Sequence, residues 1–379
     1  MTTVPTEMTV EEWNDKYFED FLLTDWFKKF SDDDSNAMIH VVEDLVEKPG
    51  TKIHLNLVNE LTGRALGEND TYSGNEASIT LRDFEIEVHE YGNAVKAKAF
   101  EQKKTAIGIR QVNKSALMNW NKQLHRSKIV KAMTDFYGTD GITKPLNDDL
   151  TLGVSAATEA IKDEWLVLNA DRVLFGANLS NNSSNDHSAS LANIDSTNDK
   201  LTTDAIDIMK YMAKNPASGK TKVRPTTPRK AIDETDAYVL FTPTLSLRDL
   251  KKDTAFLNAN REARMRGIEN PLFKGANWIW DNVAIYEIED MPILTGVGAS
   301  GINVGVSKLM GAQAIGVAWG KRPWTVENEF TAEYKRFHGL GIMQYYEVEK
   351  LRWGTGVSNR TSPVDHGMVT GYFSATAYA

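Results

Sequence analysis

Apolar side chains recur at Trp13, Tyr17 and Phe21, every fourth position, joined by Phe18, Trp26, Phe27 and Phe30. That spacing predicts a short helix with an aromatic face, opened by Thr9 and Glu12 at capping-box spacing. Such a face needs cover, from the chain's own core or from a neighbouring subunit. After the turn at Lys48-Pro49-Gly50 the period changes to two. Ile53, Leu55 and Leu57 alternate with polar residues through Val58, the pattern of a strand. Residues 61–77 are polar and carry Gly63, Gly67 and Gly74. Ile79 and Leu81 then fall on odd positions, but Phe84, Ile86 and Val88 on even ones, with the phase broken at Arg82-Asp83. A strand whose apolar side flips carries a bulge or passes from one packing environment to another. Together these segments predict a long antiparallel ribbon with a large tip. A lone two-stranded ribbon is not stable in water, so it lies on its own domain or on another chain.

Val95, Ala97 and Ala99 continue as strand. From about Lys104 to Tyr137 the steps become three and four, through Ile109, Val112, Ala116, Trp120, Leu124, Val130, Met133 and Phe136, and Gly138 closes the run. The helix so predicted is roughly 50 Å long, enough to cross a domain. A second helix is expected from about Leu150 to Leu174. The Asn/Ser-rich stretch 178–199 predicts an exposed loop. Thr203 opens a helix bearing Ile206, Met209 and Met212, and residues 214–230, rich in proline and basic side chains and free of acids, predict a flexible loop. A short strand at Ala237–Phe241 stops before Pro243, and Thr244–Arg266 reads as one helix closed by Gly267. The last third alternates as strand and turn through Trp278–Pro292, Leu309–Gly320 and Gly341–Gly354, and the residues after about Gly356 read as a polar tail.

Composition narrows the function. The chain has 379 residues, 41% hydrophobic and 25% charged, no cysteine and a net charge of −9. This is the balance of an ordinary globular protein, and the acidity argues against a dedicated nucleic-acid binder. Absent cysteine removes disulfides, thiol nucleophiles, cysteine-bound zinc and iron–sulfur clusters. No apolar run reaches the ~18 residues of a membrane helix, and the first residues lack the basic-then-apolar pattern of a signal peptide. Gly296-Val297-Gly298-Ala299-Ser300-Gly301 matches a dinucleotide fingerprint in form, but it leads into β-branched text rather than a helix, so it predicts a turn. No two of the seven histidines stand at metal-ligating helical spacing, and no nucleophile elbow or phosphate loop is present. The expectation is no catalytic residue, no metal and no cofactor. Lys220, Lys222, Arg224, Arg229 and Lys230 form the one local basic run, a candidate for non-specific phosphate contact or for a subunit contact.

The order of elements is specific. An N-terminal arm, a long β-ribbon, a long spine helix and a mixed α/β region resemble the major capsid proteins of tailed bacteriophages. The stretches WIWDNVAIYEIEDMP, LMGAQAIGVAWG and YYEVEKLRWG look like the C-terminal half of one branch of that family, in the same order, and TKIHLNLVNELTGRALGEN and GNAVKAKAF are similar to its ribbon region. The resemblance spans roughly residues 10–355. It implies an α+β fold divided as arm (1–45), extended ribbon loop (46–92), peripheral domain with the spine helix (93–175), axial domain (176–325), and a return to the peripheral domain with a C-terminal tail (326–379). It implies a structural subunit of the virion capsid, made in the host cytoplasm, that forms hexamers and pentamers of an icosahedral shell around double-stranded DNA. A separate scaffolding protein, a portal protein and a cement or decoration protein would be its partners. In that setting Trp13, Tyr17, Phe18, Phe21, Ile53, Leu55, Leu57, Ile79 and Leu81 would contact neighbouring subunits, and the basic run would face DNA. An encapsulin-like compartment shell and a soluble hydrolase with an unrecognised carboxylate pair are the alternatives.

Overall fold

The computed structural model describes residues 26–43, 50–58, 81–98, 109–139, 157–217, 220–226, 237–262, 278–329, 336–354 and 361–377, with isolated positions between them. Helix α1 (Ile109–Thr134) is the axis of the arrangement. Its 26 described residues span about 39 Å. Its first half lies on a five-stranded sheet whose order is β1 (Ser31–Asp32), β2 (Ile39–Val42), β12 (Ile315–Glu329), β13 (Phe337–Lys350) and β5 (His89–Lys98). There Leu117 meets Leu340 and Ile342, with Val95, Met118 and Trp120 around them. Farther along, His125 stacks on Trp319. Ile129, Val130 and Met133 then enter a core shared with the second sheet.

That second sheet has the order β6 (Val173–Phe175), β16 (Met368–Ser374), β11 (Val304–Met310), β7 (Tyr238–Thr242), β9 (Val283–Glu287) and β8 (Trp278–Trp280), with β10 (Ile293–Leu294) also on β11. Between β13 and β16 in sequence, β14 (Arg352–Trp353) pairs antiparallel with β15 (Val364–Asp365). Both faces of the second sheet are covered, so its central strands are buried at successive positions rather than at alternate ones. One face holds Val239, Phe241, Ala284 and Tyr286 against Phe27, Phe30 and α1. The other holds Leu240, Ile285, Leu309 and Phe373 against Ile206 and Met209 of α4 (Thr203–Lys214), Leu247 of α5 (Thr244–Leu250) and Phe256 of α6 (Thr254–Glu262).

Several expectations are corrected here. The supposed polar tail contains β16, whose seven residues are all buried between β6 and β11. The segment is short, buried on both faces, and carries Thr370, Gly371 and Ser374, so it shows neither an alternating nor a wholly apolar pattern. The helix expected to reach Leu174 spans Glu159–Asn169 as α2, then turns into strand β6. The single helix from Thr244 breaks at Lys251–Asp253, where the Asp253 carboxylate accepts from the backbone N–H of Ala255 and from Thr203. The Asn/Ser-rich stretch is not an open loop. It carries helix α3 (His187–Ala192), capped by Asp186, and it buries His187, Leu191 and Ile194. Its amides do the work of a ladder: Asn181 Nδ2 donates to the Phe175 carbonyl at 3.0 Å and to Asp199 at 2.9 Å. The Gly296–Gly301 run is a turn entering β11, as expected, with Ser300 at φ 56°.

Between the two sheets lies a buried polar junction. Asp365 Oδ2 accepts from Lys350 Nζ at 2.8 Å and from the Trp165 indole at 3.0 Å, and Arg172 donates to the Asp365 carbonyl. Lys308 Nζ donates to Thr370 Oγ1 at 2.7 Å. Burial, with the nearby Lys350 charge adding to it, drops Lys308 to about 7. Burial also holds His366 at about 3 and His187 at about 4.

Candidate assembly surfaces

The ribbon pairs β3 (Lys52–Val58) with β4 (Leu81–Glu87) in an unbroken antiparallel register, from Lys52 opposite Glu87 to Val58 opposite Leu81. Residues directly opposite share a face. One face therefore carries Ile53, Leu55 and Leu57 with Ile86, Phe84 and Arg82. It roots on the chain itself: Ile53, Phe84 and Ile86 are buried with Ala318, Leu351 and Trp353, and Leu55, Leu57 and Val88 are partly buried on the same cluster. Phe84 and Trp353 meet edge to face at 5.9 Å between centroids. The opposite face is polar near the root. Lys52 pairs with Glu85, and His54 Nδ1 lies 2.9 Å from Asp83. At the end of the described strands away from the root that face turns apolar, with Val58 59% exposed and Leu81 65% exposed.

The phase flip at Arg82-Asp83 is thus real, and no bulge produces it in the described strands. Leu81 stands on the side away from the chain's own core. The opposing row is placed differently from expectation. Ile53 has 5% of its surface left for a neighbour, because β3's odd positions pair with Phe84 and Ile86 rather than continuing toward Leu81. Leu55 and Leu57 share that rooted face and spend part of their surface there. Trp13, Tyr17, Phe18, Phe21 and Ile79 lie outside the described residues.

A second surface was not singled out from the sequence. Leu340 and Ile342 of β13 point to α1, so Gly341, Met343 and Tyr345 point away. Met343 stands opposite Trp324, and Gly341 opposite Val326 on one side and Ala94 on the other. Val326 and Met343 are each 38% exposed, and Trp324 meets Tyr345 edge to face at 5.0 Å. Lys321 Nζ sits 4.0 Å above the Trp324 ring, and Lys96 Nζ 4.0 Å above Phe337. This outer face of the first sheet is a flat apolar platform with lysines at its margins. The signal was present in Ile342-Met343, adjacent apolar residues in a strand, which call for cover on both sides.

The basic run is more committed than its composition implied. Lys220 is held by Asp171 and by the Leu168 carbonyl, and Arg224 donates to Gln313 at 2.9 Å. Val223, between them, is buried. Lys222 is exposed, and Arg229 and Lys230 lie outside the described residues. The segment stays in place because its backbone pairs with the chain: Ala312 N–H donates to the Arg224 carbonyl, and Thr226 bridges to Ala237. Among the described residues no group of three or more histidine or carboxylate side chains could hold a metal ion.

Solved phage capsids share this architecture. The chain superposes on the capsid asymmetric unit of cyanophage Pam1 with a TM-score of 0.77 at 23% identity, covering 93% of this chain and 92% of that one. For the capsid of Ralstonia phage GP4 the TM-score is 0.72 at 19% identity, covering 94% and 92%. In sequence it is 31% identical to the major capsid protein of Pseudomonas phage KPP25 over 147 residues, 37% of this chain and 38% of that protein's length. A family profile described as phage capsid protein matches residues 1–376. The ribbon, the spine helix and the two sheets are those of the tailed-phage capsid fold, and the chain belongs to the phage capsid protein family.

Proposed function

We propose that this chain is the repeating subunit of an icosahedral phage head, closing into hexamers and pentamers around packaged double-stranded DNA, and that its ribbon laps onto an adjacent subunit. The exposed Val58–Leu81 pair carries this reading. It lies away from the root of a ribbon that is anchored through the opposite face. The platform of Trp324, Val326, Met343 and Tyr345 is the surface such a ribbon fits. Burying a large aliphatic side chain fully stabilises by about 1.5–3 kcal/mol, and a shell repeats that contact in every subunit. The aromatic positions of the arm, Trp13, Tyr17, Phe18 and Phe21, with Ile79 beyond Leu81, complete the set of contacts between copies. A scaffolding protein guides closure, a portal protein occupies one vertex, and a cement or decoration protein binds the outside. The role is structural, and the subunit is made in the host cytoplasm before it enters the virion. Negative-stain microscopy and velocity sedimentation of the purified chain, alone and with scaffolding protein, test this reading. Rings and closed shells are expected. A uniform monomer under all these conditions would overturn it.

A further inference from the structure

Helix α1 carries Arg110, Lys114, Lys122, Arg126, Lys128 and Lys131, and no carboxylate at all, in 26 residues. At the chain's own usage of 52 acidic residues in 379, such a stretch would hold about three or four. The two sides of the helix differ in what they meet. The packed side of α1 meets Leu340, Gln344, Tyr346 and Glu347 of β13 through Leu117, Asn121, His125 and Lys128. On the opposite side Ser115, Asn119 and Gln123 are exposed and Ser127 half-buried, in one row at intervals of four residues, about 6 Å per step. Lys122 and Arg126 form the next row. Arg126 reaches Asp290 at 2.5 Å in a pair open to solvent on both sides.

Hydroxyl, amide, ammonium and guanidinium groups are the side chains that bind the phosphates of a nucleic-acid backbone. A carboxylate on the helix itself would repel every phosphate, so its exclusion from α1 counts as much as the cations; Asp290, which comes from outside the helix, pairs with Arg126 and would yield it to a phosphate. We propose that this open side of α1 is the face that meets packaged nucleic acid, holding backbone phosphates through Ser115, Asn119 and Gln123 with Lys122 and Arg126 beside them. The proposal rests on the reading of the chain as a shell around DNA, and it assigns the phosphate contact to the spine helix rather than to the run at 214–230. Such contacts read no base sequence and weaken with salt.

Lysine acylation of intact particles tests the assignment. DNA-filled shells, the same shells emptied of DNA, and scaffold-filled precursors are treated with a small acylating reagent. Modification of Lys122 is read by peptide mass spectrometry, with exposed Lys222 as reference. The expected result is several-fold less modification of Lys122 in filled shells than in emptied ones. Equal modification in both overturns the proposal. Protection in scaffold-filled precursors alone also overturns it, and assigns the face to an acidic protein. Asn119→Glu and Gln123→Glu, at exposed positions, are expected to leave shells intact and to release DNA at several-fold lower salt; retention unchanged across the salt range overturns the proposal. Failure of the unmodified chain to form shells counts against the proposed function instead.

Discussion

Leu81→Asp separates the ribbon's two faces. Leu81 keeps 65% of its surface in the isolated subunit, whereas Ile86, five residues on and across the flip, keeps none. An exposed substitution away from special features changes stability by no more than about 0.5 kcal/mol, so the urea midpoint of the Leu81→Asp subunit should match the parent. Ile86→Ala empties a site packed by Trp353, Leu351 and Ala318, and should cost about 2–5 kcal/mol. Assembly should show the reverse order. Covering the remaining two thirds of Leu81 is worth about 1–2 kcal/mol per contact, and a carboxylate placed under that cover adds a desolvation cost. At about 1.4 kcal/mol per tenfold, each ribbon contact weakens by at least roughly one order of magnitude, and shells multiply that loss. Sedimentation of assembly mixtures should find Leu81→Asp as free subunits or incomplete rings at concentrations where the parent closes. Leu55→Asp should resemble Ile86→Ala, since Leu55 packs on the same root. Shell formation by Leu81→Asp at parental concentrations would refute the reasoning, as would a midpoint lowered as far as that of Ile86→Ala.

Other outcomes follow from burial and charge. His187 and His366 stay neutral when folded, at about 4 and about 3, while the unfolded chain takes up protons from about pH 6.5 downward. Their stability contribution is therefore whole above that pH and falls on acidification by about 1.4 kcal/mol per pH unit per histidine; urea titrations at pH 7 and pH 5 should show the loss, and a flat profile would contradict it. Lys308, folded at about 7 against 10.5 when free, makes stability rise between those values; Lys308→Met should flatten that slope, which pH-dependent unfolding measures. Deleting residues 1–25 should impair assembly while sparing the fold. Deleting 1–30 should unfold the subunit, because Phe27 and Phe30 are buried against Phe241 and each is worth about 3–5 kcal/mol; circular dichroism and particle yield distinguish the two deletions.

What the sequence revealed followed its local periods. The ribbon, its phase flip and the spine helix were legible because period two and period 3.6 persisted over seven residues or more, with turns at their ends. The glycine run read correctly because it leads into Ile302–Val306, which is β-branched. Three features were hidden by physics that is not local. β16 was unreadable because a central strand in a doubly covered sheet needs no alternation, and seven residues with Thr370 and Ser374 among them look like a tail. The stretch around α3 looked like loop because much of its order comes from Asn181, Asp186 and Asp199 bonding to backbone, with Leu191 and Ile194 its few apolar anchors. The rooting of Ile53 depended on register: only the pairing with Ile86 shows that its row belongs to the subunit's own core. Lys220 and Arg224 of the basic run could be counted, but their partners Asp171 and Gln313 lie about 50 and 90 positions away in sequence.

The place of β16 also sets an order of events during synthesis. β6 and β16 pair through Val173 and Thr370, so the ribosome adds roughly 200 residues between the two partners. At about 5–20 residues per second, β6 waits some tens of seconds for its neighbour. Through roughly the last sixty residues of that interval β11 has been made but lacks the strand on one flank, and the pocket of Leu309 and Met209 lacks Val369 and Phe373. The second sheet is closed only once β16 has joined β6 and β11. The order of synthesis thus leaves β6 without its sheet partner until nearly all of the strands that will share its sheet have been made.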